Sequence, residues 1–210
     1  MGSRDMGKGG RAACAAAVVA VIGVASGARA DQFSDAVLAQ INFARTQPWD
    51  YAQVLRDQAR FGDRDEAPTR SQIGDADDLR EAISFLERQK PLSPLADDSN
   101  LADAAMAHVK VQSQSGAVGH GEADGTTLEM RLHRRGVWAG LAGENISYGR
   151  ESSRGVVSQL IIDSGVPGRG HRANIFDPAY QYAGVACGPH RVYRVMCVID
   201  FAGALAPRGD

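Results

Sequence analysis

Apolar residues recur at helical spacing through the first half of the chain and gather into two short β-rich runs near its end. Val37, Leu38, Ile41 and Ala44 share one side of a 3.6-residue period, which predicts an amphipathic helix over 33–44. Pro48 ends it or opens the next turn, and Tyr51, Val54 and Leu55 continue on one side as a second helical piece over 49–55. Residues 57–74 are charged, rich in Arg, Asp, Pro and Gly, and have little to bury, so they read as a loop insertion. Leu79, Ile83 and Leu86, with Ala82 and Phe85 alongside, predict a helix over 78–89 that starts in an Asp-rich turn and stops before Pro91 and Pro94. Leu101, Ala104, Ala105 and Val109 predict another over 99–113. His108 lies within it and reads as a boundary residue rather than a ligand.

Glycine then breaks the helical pattern. Residues 116–125 form a glycine-rich loop holding His120 and Glu122. Thr126-Thr127-Leu128-Glu129 matches the Ser/Thr-x-x-Glu capping box and predicts a helix to about Arg135, with His133 facing solvent. Residues 143–148 read as a strand, and Ser152 and Ser153 cap a helix to about Asp163 that buries Val156, Val157, Leu160 and Ile161. Pro167 and three glycines make 165–170 a loop. The runs 182–187 and 193–201, rich in Val, Ala, Cys and Tyr, flank a Gly188-Pro189-His190 turn signal and predict an antiparallel hairpin. Helices first and a small sheet later favour an α+β layered domain over a doubly wound parallel sheet. Trp138 and Tyr148 read as core residues.

The first thirty residues change the picture of the mature protein. Arg4, Lys8 and Arg11 precede an apolar run from Ala12 to Gly27, and Ala28-Arg29-Ala30 supplies small residues for signal peptidase, so cleavage is expected before Asp31. The run is shorter than the ~20 apolar residues a bilayer core requires. Cys14 lacks an aliphatic residue three positions before it, which argues against a lipoprotein anchor. Losing Arg4, Lys8, Arg11 and Arg29 against Asp5 moves the formal charge from −2 to −5. A secreted or periplasmic single domain over 31–210 is expected, without a stable membrane anchor. With no basic patch interleaved with aromatics, nucleic acid is not an expected partner. Cys187 and Cys197 remain; in an exported protein such a pair is by default a disulfide, and a hairpin centred near Val192 would set them opposite each other. Reduced core thiols are the alternative, since nine intervening residues do not suit a redox Cys-x-x-Cys motif.

The candidate chemistry sits in three glycine-flanked islands: Gly119-His120-Gly121, Gly143-Glu144-Asn145-Ile146, and Gly168-Arg169-Gly170-His171-Arg172-Ala173-Asn174-Ile175. Imidazole and carboxylate bind metals or move protons near neutral pH, and glycine lets backbone approach a ligand. Together with Ile41-Asn42-x-x-Arg45, Asp124-Gly125, Asp177-Pro178 and Gly184-Val185, these motifs resemble the bacterial branch of the CAP superfamily of cysteine-rich secretory, antigen 5 and pathogenesis-related proteins, also called the SCP-like extracellular domain. The resemblance covers roughly 33–201.

It implies a three-layer α-β-α sandwich with a small antiparallel sheet, and a cleft lined by two histidines and two acids. His120, Glu144 and His171 match three of these. Many members place the fourth acid as a Glu three residues after a tryptophan; here Leu160-Ile161-Ile162-Asp163-Ser164 has neither, and Asp163 is the candidate. Three functions follow. The first is a binding domain for a divalent cation and a small lipid, peptide or envelope ligand. In it, His120 and His171 with a carboxylate would hold Zn²⁺ and leave a coordination position open. The second is a hydrolase using metal-bound water or a Glu144–histidine pair. The third is a purely structural tetrad. No serine, threonine or cysteine stands out as an activated nucleophile: Ser164 adjoins Asp163 but lacks a strand-turn-helix elbow. Arg169, Arg172 and Asn174 flank His171, with a salt bridge expected for Arg172 and a loop cap for Asn174.

Overall fold

The computed structural model describes residues 1–2, 21–62 and 76–205. Its first three helices are α1 (Val21–Thr46), α2 (Pro48–Phe61) and α3 (Ala76–Arg88). Val37, Ile41 and Ala44 of α1, Tyr51, Ala52 and Leu55 of α2, and Leu79, Ala82 and Leu86 of α3 merge into one core, as their spacing requires. Pro48 opens α2, where its missing N–H costs nothing. The helix continues to Phe61, so the start of the expected loop is helical. Residues 63–75, the rest of that loop, lie outside the described residues, as do residues 3–20 of the expected signal sequence. The cleavage point expected before Asp31 falls within α1. No helix among the described residues is long and apolar enough to cross a membrane.

Four strands form one sheet: β1 (Ala96–Asp97), β2 (Ala142–Tyr148), β3 (Tyr182–His190) and β4 (Arg194–Ala202), in the order β1-β3-β4-β2. β1 runs parallel to β3 and the other pairs are antiparallel. Two exposed residues carry no period, so β1 was not readable in the sequence. Side chains alternate across the sheet. One face carries Ile146, Ala186, Met196 and Val198 toward α4 (Ser99–Ser115), with α5 (Leu128–Arg134) beside it. The other carries Val185, Ile199 and Phe201 toward α1 and α6 (Ser153–Ile162). The result is the α+β, three-layer α-β-α sandwich.

Several local readings shift. The hairpin turn lies at Arg191–Tyr193, centred on Val192 as expected, while β3 continues through the Gly-Pro signal to His190. The N–H of Cys187 faces away from β4 and donates to Ser34 Oγ at 3.0 Å; two residues on, Pro189 has the same orientation and deprives the ladder of nothing. The cap of α5 is Thr127 rather than Thr126, with its hydroxyl accepting from the Met130 N–H. Trp138, expected in the core, is 57% exposed and stacks on His133 with ring centroids 3.9 Å apart. Tyr148 is only half-buried.

Cys187 and Cys197 are register partners, Cα atoms 4.1 Å apart, and form the disulfide. Its loop is short, so replacing both cysteines with alanine should lower the unfolding free energy by about 2–3 kcal/mol in urea melts. A loss below about 1 kcal/mol would mean that the ladder alone restrains the hairpin.

Candidate functional site

Two imidazoles, exposed His120 and half-buried His171, are each held by a buried carboxylate. His120 Nδ1 lies 2.8 Å from Glu144 Oε1, and His171 Nδ1 lies 2.6 Å from Asp163 Oδ1. The His120 side chain is 57% exposed and that of His171 25%, whereas each carboxylate is only 2% exposed. Neither Nε2 has a hydrogen-bond partner among the described residues.

Glu144 is third in β2, on the face beneath α4 and α5. Its second oxygen accepts from Arg131 Nη2, and Arg131 Nη1 also donates to the His120 carbonyl at 3.2 Å. Burial pushes the Glu144 pKa up, but the His120 hydrogen bond and the nearby Arg131 and His108 outweigh it and hold the group below the ordinary glutamate range. The same hydrogen bond raises the pKa of His120, against its partial desolvation. Linkage therefore has two arms. The raised His120 pKa contributes stability below its unfolded value, lost as pH rises through the folded one. The depressed Glu144 pKa contributes stability above its unfolded value, lost as pH falls. The pair stabilises most between about pH 4.3 and 6.5, the two unfolded values.

Sequence reasoning missed what fixes the His120 loop. His108 is fully buried, not a boundary residue: its Nε2–H donates to the Gly119 carbonyl at 2.9 Å while Nδ1 faces Glu122 Oε1 at 3.0 Å. Gln112 donates to the same carbonyl, Tyr148 OH donates to Gln112 Oε1, and the Gly119 N–H donates back to Tyr148 OH. The only sequence signal was polar His108 and Gln112 on the apolar stripe of α4. Asp200 was also missed. It lies opposite Glu144 on β4 and is fully buried, its pKa pushed well up by burial and then by Glu144.

Asp163 ends α6 in the left-handed conformation, φ 54°, which aims its carboxylate at the start of α7 (Gly170–Ile175). There Oδ2 accepts the His171 N–H at 2.9 Å, so this acid too is spoken for. Arg169 donates to the Asp163 carbonyl and pairs with Asp78. Arg172 Nη2 donates to both oxygens of Glu81, and the guanidinium lies over the Phe85 ring. β2 joins the two dyads: Asn145 donates to the His171 carbonyl, and Asn174 donates to Asn145 Oδ1 rather than capping a loop. Gly143 permits this approach, because a Cβ there would lie 2.3 Å from the Tyr180 hydroxyl.

The structure thus pairs His120 with Glu144 and His171 with Asp163. No group of three or more His, Cys, Asp or Glu among the described residues is arranged to hold a metal ion. Each carboxylate oxygen already has an internal donor, leaving two imidazole nitrogens where Zn²⁺ needs at least three protein ligands. The donor set does not fit the cation, and no chemistry is derived through it. Ser164 donates to Asp78, not to a histidine.

Residues 38–201 match the sequence profile of the Cysteine-rich secretory protein family, CAP. Among solved structures, the chain is similar to an extracellular protein containing an SCP domain from Bacillus anthracis, with 23% identity over 66% of this chain and 45% of that one and a TM-score of 0.46. It is also similar to an outer surface protein from Borrelia burgdorferi (19%, 61% and 93%, TM-score 0.46). A third is a cysteine-rich secretory protein from Staphylococcus aureus (16%, 66% and 41%, TM-score 0.40). The matched region thus spans less than half the length of the Bacillus and Staphylococcus proteins. No curated protein matches the chain.

Proposed function

The chain belongs to the Cysteine-rich secretory protein family, and from that premise we propose that it is an exported binding domain whose two dyads present imidazole N–H groups to an anionic or acceptor-rich ligand, such as a lipid headgroup, a peptide carboxylate or an envelope component. The observation that carries the reading is that every oxygen of both acids has an internal donor. Glu144 and Asp163 spend their oxygens on internal donors, so each serves to orient an imidazole rather than to act as a free base or metal ligand, and Glu144 also favours the charged form of His120. This favours binding over nucleophilic hydrolysis, since no hydroxyl or thiol among the described residues is hydrogen-bonded to either imidazole Nε2.

Calorimetry with a short-chain phosphatidylglycerol and an acidic tripeptide, at pH 6 and pH 8, tests it. Binding of either probe should weaken at least about fivefold at the higher pH as imidazolium is lost, and His120→Ala or His171→Ala should abolish it. Glu144→Gln should weaken it by lowering the His120 pKa. Equal binding by wild type and both histidine variants would sink the reading. Micromolar Zn²⁺ binding abolished by either histidine substitution would replace it with a metal site, and esterase or peptidase turnover lost in Glu144→Gln with a hydrolase.

A further inference from the structure

Behind the His120 dyad, the β2–β4 register sets Glu144 directly opposite Asp200 on one face of the sheet. Both are sealed from solvent. Glu144 has a donor for each oxygen, His120 and Arg131. Asp200 has none: neither oxygen receives a hydrogen bond from any described residue. Its neighbour within reach is the Glu144 carboxylate, itself an acceptor.

The other elements give Asp200 no hydrogen bond, and the nearby Arg131 charge, which favours its ionised form, is outweighed by burial and by Glu144. α5 brings Arg131, whose terminal nitrogens are committed to Glu144, to the His120 carbonyl and to Glu122. α4 brings His108, bonded to Gly119 and Glu122. The loop over 116–125 brings Glu122 and His120, and β3 brings Gly184, which has no charge. An ionised carboxylate buried without a donor or a paired cation is strongly disfavoured, and two adjacent carboxylates relieve their repulsion by sharing one proton. Glu144 already has two partners for its charge, so the proton belongs on Asp200.

We propose that Asp200 is a proton-holding positioning residue of the His120 site, a neutral acid whose O–H donates to Glu144 across the β2–β4 ladder. The inference rests on the reading of His120–Glu144 as a ligand-facing dyad. It gives Glu144 a third donor, fixing its rotamer and therefore the direction of the His120 ring. It also opposes stability. The unfolded chain releases this proton near the ordinary aspartate pKa while the folded chain keeps it, so stability falls as pH rises through the interval between the two values. Asparagine supplies an N–H in place of the O–H and has no proton to lose, which makes Asp200→Asn the informative variant.

Carboxyl-carbon NMR of the isotope-labelled wild-type protein at pH 7.5, with no ligand present, reads the proton directly. An Asp200 carboxyl shift in the protonated range supports the proposal; a shift in the carboxylate range overturns it. Thermal melts from pH 5 to 8.5 give the second readout. Wild type should lose Tm as pH rises while Asp200→Asn stays flatter and melts about 3–8 °C higher at the alkaline end. A variant that folds but melts lower than wild type across the range, with the same slope, overturns the proposal. Because neither readout involves a ligand, failure here is separable from failure of the binding function.

Discussion

Gly184→Ala should cost about 3 kcal/mol or more and lower the Tm by roughly 10 °C, the largest loss expected from adding one methyl group to this protein. Gly184 lies on β3 where α4 crosses the sheet. A Cβ there would sit 2.0 Å from the Ala102 nitrogen and 2.3 Å from the Leu101 carbonyl carbon. Those are backbone atoms, so no rotamer relieves the overlap and the helix must lift. Lifting α4 opens the Leu101 and Ala104 packing and pulls His108 and Gln112 from the Gly119 carbonyl, disturbing the loop that carries His120. Gly121→Ala is the control, since its added Cβ would meet nothing within 4 Å. Thermal melts of the two variants decide the matter: a Gly184→Ala protein within about 1 kcal/mol of wild type would mean the helix does not approach this closely.

Arg45→Met should cost about 3–5 kcal/mol, with the urea midpoint lowered and the slope unchanged. Arg45 is buried at the end of α1 and acts as a hub for carbonyls from distant segments. Nε donates to Ser93 at 3.0 Å, Nη1 to Ile175 at 2.6 Å and Asp177 at 3.0 Å, and Nη2 to Tyr180 at 3.4 Å. Burial lowers its pKa while Asp177 opposes the shift, so the cation is retained at a desolvation cost. Methionine fills the stem but leaves these acceptors unpaired, at about 1–3 kcal/mol each before relaxation. Arg45→Lys keeps the charge on a single ammonium that cannot span acceptors on both sides, and should recover less than half the loss. Full stability in the methionine variant would remove the carbonyl clamp as a cause of the fold.

The site was legible in uneven measure, and the reason is the range of the interactions. His120, Glu144 and His171 stood out because glycines flank them, a local feature. Asp163 was found through the family resemblance, which expects an acid on the helix before His171. Asp200 was invisible: in Met196-Cys197-Val198-Ile199-Asp200-Phe201 it reads as one polar residue closing an apolar strand, and only the pairing of β4 with β2 places it against Glu144. Arg131 carried no local sign of burial, yet is buried on Glu144. Trp138 failed in the opposite sense, since a large apolar side chain carries no local sign that its loop leaves it stacked on His133 at the surface.

Periodicity and punctuation by themselves determined the α+β class, the main helices, the hairpin and its cysteine register, because each depends on residues within a turn or two along the chain. Tertiary structure alone decided that β1 is a strand, that Arg45 clamps segments some 130 residues away, and which acid holds which histidine. Those outcomes turn on which buried donor reaches which acceptor, a balance of desolvation against hydrogen bonding set when the layers close.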